Sequence, residues 1–99
     1  DVVEKEDEVP QFIEKKIKGT TFLREFKENV DSSELIWHLD REDRKIFILE
    51  SNGWKLQMDN ELPKELVKGD THFIPKMTYH RVIKGNGDLR IRLTKLEDK

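Results

Sequence analysis

The chain has 99 residues, of which 34% are hydrophobic and 40% are charged, so it fits one domain with a thin apolar core. Nineteen Lys and Arg against 21 Asp and Glu give a formal net charge of −2, and the interleaved signs argue against a nucleic-acid partner. The lack of cysteine excludes disulfides and thiolate metal sites and fits a cytoplasmic protein. No apolar run approaches the ~20 residues that span a bilayer, so we expect no membrane association.

The first nine residues, DVVEKEDEV, alternate acids with valines and precede Pro10. This composition predicts a flexible N-terminal arm over residues 1–9, without a signal-peptide pattern, and a folded domain over residues 10–99. From Phe12 to Phe26 the β-branched and aromatic content favours strands, although FIEKKIK alone also fits one or two helical turns.

After Ser33, short apolar runs alternate with turn residues at the spacing typical of an all-β sandwich or barrel. The predicted strands are residues 35–40, 45–50, 54–58, 65–68, 71–74, 79–84 and 88–96. Asn86-Gly87 between two apolar strands predicts a hairpin turn, because both residues tolerate a positive φ. In the last strand, alternation turns Leu89 and every second residue after it inward, and Arg90 and Arg92 outward.

The segment GDTHFIPKMTYHRVIK, which begins at Gly69, resembles the second conserved motif of the cupin superfamily, G-x5-P-x-G-x2-H-x3-N. Gly69, Pro75 and His80 fall in register with it. Met77 stands where the family usually has glycine, which implies a somewhat different loop, and Lys84 stands where asparagine is common. The resemblance implies an all-β, single-domain antiparallel β-barrel of the cupin type, also described as a double-stranded β-helix or jelly roll.

Upstream, WHLDREDRKIFILES resembles a degraded form of the first cupin motif, G-x5-H-x-H-x3-4-E-x6-G. His38 takes the first histidine position, Asp40 replaces the second histidine, and Arg44 falls where the glutamate ligand would be. The resemblance covers about residues 33–96. The same stretch is similar to a group of small, uncharacterised cupin-like proteins, several of them encoded by bacteriophages.

His38, Asp40 and His80 form a candidate metal site. Residues two apart on a strand point to one face, so His38 and Asp40 would present an imidazole and a carboxylate side by side. His80, brought close by barrel closure, would complete a two-histidine, one-carboxylate set like the facial triad of non-haem Fe(II) enzymes. We therefore expect a divalent metal, with Fe(II) as the first candidate and Mn, Ni or Zn as alternatives.

The strand around Trp37 raises an objection to this site. Simple alternation would bury Leu35, Trp37 and Leu39 and expose His38 and Asp40. The two interpretations are compatible if the N-terminal segment or a second subunit covers the outer face. We therefore expect a homodimer.

Arg44 limits the analogy with a four-ligand cupin site. A guanidinium that faces a dication is repulsive unless it turns outward or binds an anionic substrate. Glu42 or Asp43 would have a functional role only by lending a carboxylate to the metal or by orienting a ligating histidine.

Two function hypotheses follow from these residues. The first is a small metal-binding cupin, acting as an oxygenase or isomerase on a small polar molecule if it is an enzyme, with the substrate entering at the barrel mouth. The alternative is a non-catalytic cupin that binds a small ligand or serves as an oligomerising module. The degraded first motif, without its glutamate ligand, motivates the alternative.

Overall fold

A computed structural model describes residues 12–96, and the predicted arm over residues 1–9 lies outside this range. The strands are β1 (Ile13–Lys18), β2 (Thr21–Phe26), β3 (Asp43–Glu50), β4 (Lys55–Met58), β5 (Lys64–Glu65), β6 (Thr71–Ile74), β7 (His80–Ile83) and β8 (Leu89–Leu96). One turn of 3-10 helix, Ser32–Glu34, is the only helical segment in the described part of the chain. Within residues 12–96 no helix is long and apolar enough to cross a membrane.

The eight strands form two antiparallel sheets. The larger sheet has the order β1-β2-β8-β3-β6 and the smaller one the order β5-β4-β7. The chain therefore changes sheet after β3, β5, β6 and β7, and every pairing between these strands is antiparallel. This is the jelly-roll arrangement of an all-β barrel, which confirms the predicted fold class.

The core lies between the two sheets, and the side chains of β8 alternate between this core and the outer surface. Leu89, Ile91 and Leu93 are at most 4% exposed, while Arg90 and Arg92 point outward. Burying an aliphatic side chain of this size contributes about 1.5–3 kcal/mol, so strict alternation fixes the register of the strand. The core cluster consists of Phe26, Val30, Leu35, Ile46, Ile48, Trp54, Leu56, Leu66, Ile74, Leu89, Ile91 and Leu93.

The N-terminal third forms a hairpin on the edge of the larger sheet. β1 pairs with β2, and β2 pairs with β8. Between β1 and β2, Gly19 has a φ of 57°, which costs glycine little. The prediction of strands here is confirmed, and the helical alternative for FIEKKIK is wrong, because pairing with β2 outweighs the weak local helix pattern.

The predicted hairpin at Asn86-Gly87 is wrong. The flanking strands β7 and β8 belong to different sheets, and neither residue has the positive φ of a hairpin turn. The segment packs instead on the turn after β3. The Asn86 N–H donates to the carbonyl of Asn52 at 2.8 Å, and the indole N–H of Trp54 donates to the carbonyl of Gly87 at 2.7 Å.

The close approach of these two segments requires glycine at position 85. A Cβ added to Gly85 would lie 2.6 Å from the backbone nitrogen of Trp54 and would also overlap the carbonyl oxygen of Asn52. Gly85→Ala is therefore expected to lower the free energy of unfolding by about 1–3 kcal/mol, the usual cost of overpacking. Urea denaturation would measure it.

The matched control is Asn86→Ala at the exposed neighbouring position, with an expected change of no more than about 0.5 kcal/mol. Equal effects of the two substitutions would contradict the packing argument.

Candidate metal centre

The segment that carries His38 and Asp40 is irregular, so the predicted strand over residues 35–40 is wrong. Only His38 forms a bridge: its N–H donates to the carbonyl of His80 at 3.0 Å, and the His80 N–H donates back at 2.9 Å. Without a strand, alternation does not govern the side chains, and Leu35 is buried while Trp37 is 39% exposed. The exposure expected from alternation is therefore right for His38, which is exposed, and wrong for Asp40, whose side chain is only 11% exposed.

The two imidazoles lie against each other at the barrel mouth, with ring centroids 4.3 Å apart. Nδ1 of His38 donates to the carbonyl of Ile36 at 3.1 Å, and Nδ1 of His80 donates to the carbonyl of Thr78 at 2.9 Å. Because a carbonyl can only accept, each Nδ1 carries the proton. In the neutral rings both Nε2 atoms then have a free lone pair, as in metal-ligating histidines whose other nitrogen is held by a carbonyl.

Asp40 completes a group of three ligand atoms that all lie within 4.8 Å of one another. Its Oδ2 is buried, has no hydrogen-bond partner and lies 3.3 Å from Nε2 of His80. Two acceptors that face each other repel unless a cation or a proton lies between them. Metal bonds to such atoms are about 2.0–2.2 Å long, so small side-chain rotations bring all three within reach of one ion. The residues therefore fit a divalent metal.

Burial lowers the pKa of the His80 imidazole. The hydrogen bond to Thr78 raises it, the neighbouring His38 lowers it, the Asp40 carboxylate raises it and Arg44 lowers it. The net shift is downward, so His80 is neutral near neutral pH. Neutral imidazole is the form that binds metals.

Arg44 points into the site and not away from it. Its side chain is 14% exposed, and Nη2 lies 3.3 Å from Oδ1 of Asp40 and 2.7 Å from Oε2 of Glu42. The guanidinium therefore holds the Asp40 oxygen that does not face His80. Glu42 thus binds Arg44, and Asp43 accepts a backbone N–H from the loop before β7, so neither belongs to the metal-ligating group.

Arg24 is a site residue that the sequence analysis missed. It lines the mouth together with His38, Asp40 and Arg44, and its Nε donates to Oε2 of Glu14 at 2.9 Å. The alternation of β2 could have identified it. Every second residue of this strand turns toward the core, and Arg24 is the middle one of three such positions. The groove at this mouth has a volume of about 320 Å³, enough for a small ligand, whereas the barrel space below it amounts to only about 70 Å³.

Solved structures of several other proteins resemble this chain. KdgF from Halomonas sp. is 17% identical, with a TM-score of 0.69 over 94% of this chain and 87% of that one. The fold is that of the cupins. The cupin DMSP lyase DddQ from Ruegeria pomeroyi is 15% identical, with a TM-score of 0.61 over 79% and 38%. The Fe(II) form of HppE in complex with substrate is 17% identical, with a TM-score of 0.68 over 91% and 52%.

At these identities the likeness establishes the cupin fold alone. This chain spans 38% of the DddQ chain and 52% of the HppE chain, in contrast to 87% of the KdgF chain. No protein-family model matches the sequence, and no curated protein matches it.

Met77 occupies the glycine position of the cupin motif in a backbone conformation that favours glycine. Its φ is 57°, and its N–H donates to the carbonyl of Asp40 at 2.7 Å. The loop before β7 therefore positions the backbone of a candidate ligand. A side chain in this left-handed region costs about 1–2 kcal/mol.

Met77→Gly is expected to raise the free energy of unfolding by about 1 kcal/mol. Glycine removes the cost of the left-handed backbone, and this gain is partly offset because glycine loses more chain entropy on folding. Thermal and urea denaturation of the metal-free protein would measure it. The control is Met77→Ala, which keeps the Cβ and removes only the outer atoms of the side chain. Because Met77 is 60% exposed, this variant should change the free energy of unfolding by less than about 0.5 kcal/mol. A loss of stability in the glycine variant would contradict the assignment of the cost to the backbone.

Proposed function

We propose that this cupin binds a divalent metal through Nε2 of His38, Nε2 of His80 and Oδ2 of Asp40. The observation that carries the proposal is the buried Oδ2 of Asp40, which faces Nε2 of His80 at 3.3 Å without a hydrogen bond. Two histidines and one carboxylate are the facial donor set of non-haem Fe(II) sites, so Fe(II) is the first candidate and Mn, Ni and Zn are alternatives. Support also comes from the solved structures of HppE with Fe(II) and with Co(II).

Each protein group in the proposed site has a defined task. The carbonyls of Ile36 and Thr78 fix the tautomer and the orientation of the two imidazoles. Arg44 holds one oxygen of Asp40 and leaves the other free for the ion. When bound, a divalent metal would act as a Lewis acid that polarises an oxygen of the ligand.

We propose that the ligand is a small polar molecule that enters at the barrel mouth. Three protein ligands would leave positions on the metal open, and these positions would suit substrate binding in an oxygenase or an isomerase. Apolar side chains line the space below the mouth, so such a ligand would have an apolar wall on its inner side.

The second candidate function is a non-catalytic cupin that binds a small ligand or assembles with other copies. The ion pair of Arg44 with Asp40 favours it, because this pair partly neutralises the carboxylate without a metal. Ligand binding that persists after treatment with a chelator would support the second candidate. The homodimer stays a prediction.

Metal titration of the purified protein tests the leading proposal. We expect one Mn(II), Fe(II) or Zn(II) ion per chain. The metal affinity should fall by at least about 100-fold in His38→Ala, His80→Ala and Asp40→Asn, because loss of a direct ligand should exceed the 10–100-fold effect of losing an outer-shell partner. Calorimetry and plasma mass spectrometry would measure affinity and content.

His72→Ala is the matched control, because His72 lies on β6 outside the ligand group and its loss should leave the metal affinity unchanged. A protein that ignores all of these metals would refute the proposal, and so would a His80→Ala variant that binds them as the native chain does.

A further inference from the structure

Two arginines stand beside the proposed metal ligands at the mouth of the barrel. Arg24 comes from β2 and Arg44 from β3, and together they are called the arginine pair below. Both line one side of the mouth with His38 and Asp40, and the apolar side chains of Phe12 and Ile36 complete this wall. A ligand that reaches the metal from this side would pass both guanidiniums.

Both guanidiniums are largely buried, with 11% of the Arg24 side chain and 14% of the Arg44 side chain exposed. Each uses one edge to hold a carboxylate: Nε of Arg24 donates to Glu14 at 2.9 Å, and Nε of Arg44 donates to Glu42 at 2.7 Å. Within residues 12–96, no hydrogen bond or ion pair involves Nη1 of either arginine. Each guanidinium therefore keeps free N–H donors for a further anion.

The charge balance of the mouth also favours an anion. The arginine pair is matched by three carboxylates, those of Glu14, Asp40 and Glu42. The net charge is thus −1 without a metal and +1 with a dication. Burial lowers the pKa of Arg24, the Glu14 carboxylate raises it and the charge of Arg44 lowers it, so these charges interact in a poorly solvated space.

We infer that the arginine pair is a subsite for a small organic carboxylate, whose carboxylate binds the free guanidinium donors while a second oxygen reaches toward the metal ligands. This inference rests on the proposed metal-binding function and adds a substrate class to it. The planar fork of arginine matches the two oxygens of a carboxylate. Ile36 and the Phe12 ring, which lies against the guanidinium of Arg24, would offer apolar contacts to a short carbon chain in this groove.

Calorimetry on the Mn(II)-loaded protein tests the subsite with glycolate and succinate as probes. Their neutral amides, glycolamide and succinamide, are the matched ligands, because they keep the shape and lose the charge. We expect the carboxylates to bind at least about tenfold more tightly than the amides, the usual effect of a hydrogen bond to a charged group. Equal affinity for the acids and the amides would overturn the inference.

Variants separate the arginine pair from the rest of the surface. Arg24→Gln and Arg44→Gln should each weaken carboxylate binding about tenfold or more, and Arg24→Lys should have a smaller effect because it keeps the charge. Arg90→Gln, on the outer face of β8, is the control and should have no effect. Undiminished binding in Arg24→Gln would overturn the inference.

Glu14→Gln keeps the test decisive if the arginine variants do not fold. It removes the carboxylate that competes for Arg24, so probe binding should become several-fold tighter. Unchanged or weaker binding would mean that Arg24 serves only its ion pair with Glu14, and would contradict the subsite.

Metal content is measured on every sample, so failure of the metal site and failure of the subsite give different results. A protein that takes up Mn(II) but prefers no carboxylate has the metal site without the subsite. A protein that takes up no metal, yet binds succinate in an Arg24-dependent way, has the subsite and refutes the proposed function.

Discussion

The two backbone hydrogen bonds between His38 and His80 hold the site together. At 3.0 Å and 2.9 Å, they join the irregular segment before β3 to the start of β7, which belongs to the smaller sheet. Because a bridged pair in antiparallel strands points both side chains the same way, the two imidazoles come to lie together. This bridge and the hydrogen bond from the Met77 N–H to the Asp40 carbonyl together position the segment after the 3-10 helix, so that Asp40 lies beside His80.

The position of Arg44 sets the character of the site. In the first cupin motif a glutamate would stand there, whereas this chain has a cation that pairs with Asp40 and Glu42. The exchange would leave a metal with at most three protein ligands from these positions. It also adds positive charge to the mouth, where Arg24 contributes a second guanidinium. A site with fewer ligands and more cations suits an anionic ligand better than a neutral one.

Alternation and motif spacing predicted much of this molecule from its sequence. Leu89 and Arg90 on β8 follow the pattern, because one face of that strand is buried and the other exposed. The motif positions of His38 and His80 predicted two side chains that the structure brings together. That these residues ligate a metal stays a prediction.

The predictions from sequence were wrong or incomplete where contacts between residues distant in sequence override the local pattern. Asn86-Gly87 has the composition of a hairpin turn, yet the flanking strands β7 and β8 belong to different sheets, and Gly85 packs on another turn. The strand expected over residues 65–68 is Lys64–Glu65 in the structure. The Leu66 N–H still donates to the carbonyl of Trp54 in register with β4, and the turn in which the Asp70 N–H donates to the carbonyl of Val67 then ends the pairing. Arg24 was missed because a charged residue on an inward face is uncommon, and because His38, Asp40 and Arg44, with which it lines the mouth, follow in a later segment of the chain.

Anomalous scattering from crystals grown with Mn(II) or Fe(II) tests the central claim most directly. We expect a single strong peak about 2.0–2.3 Å from Nε2 of His38, Nε2 of His80 and Oδ2 of Asp40. A peak at other residues, or a direct hydrogen bond between Asp40 and His80 with no peak at either metal's absorption edge, would contradict it.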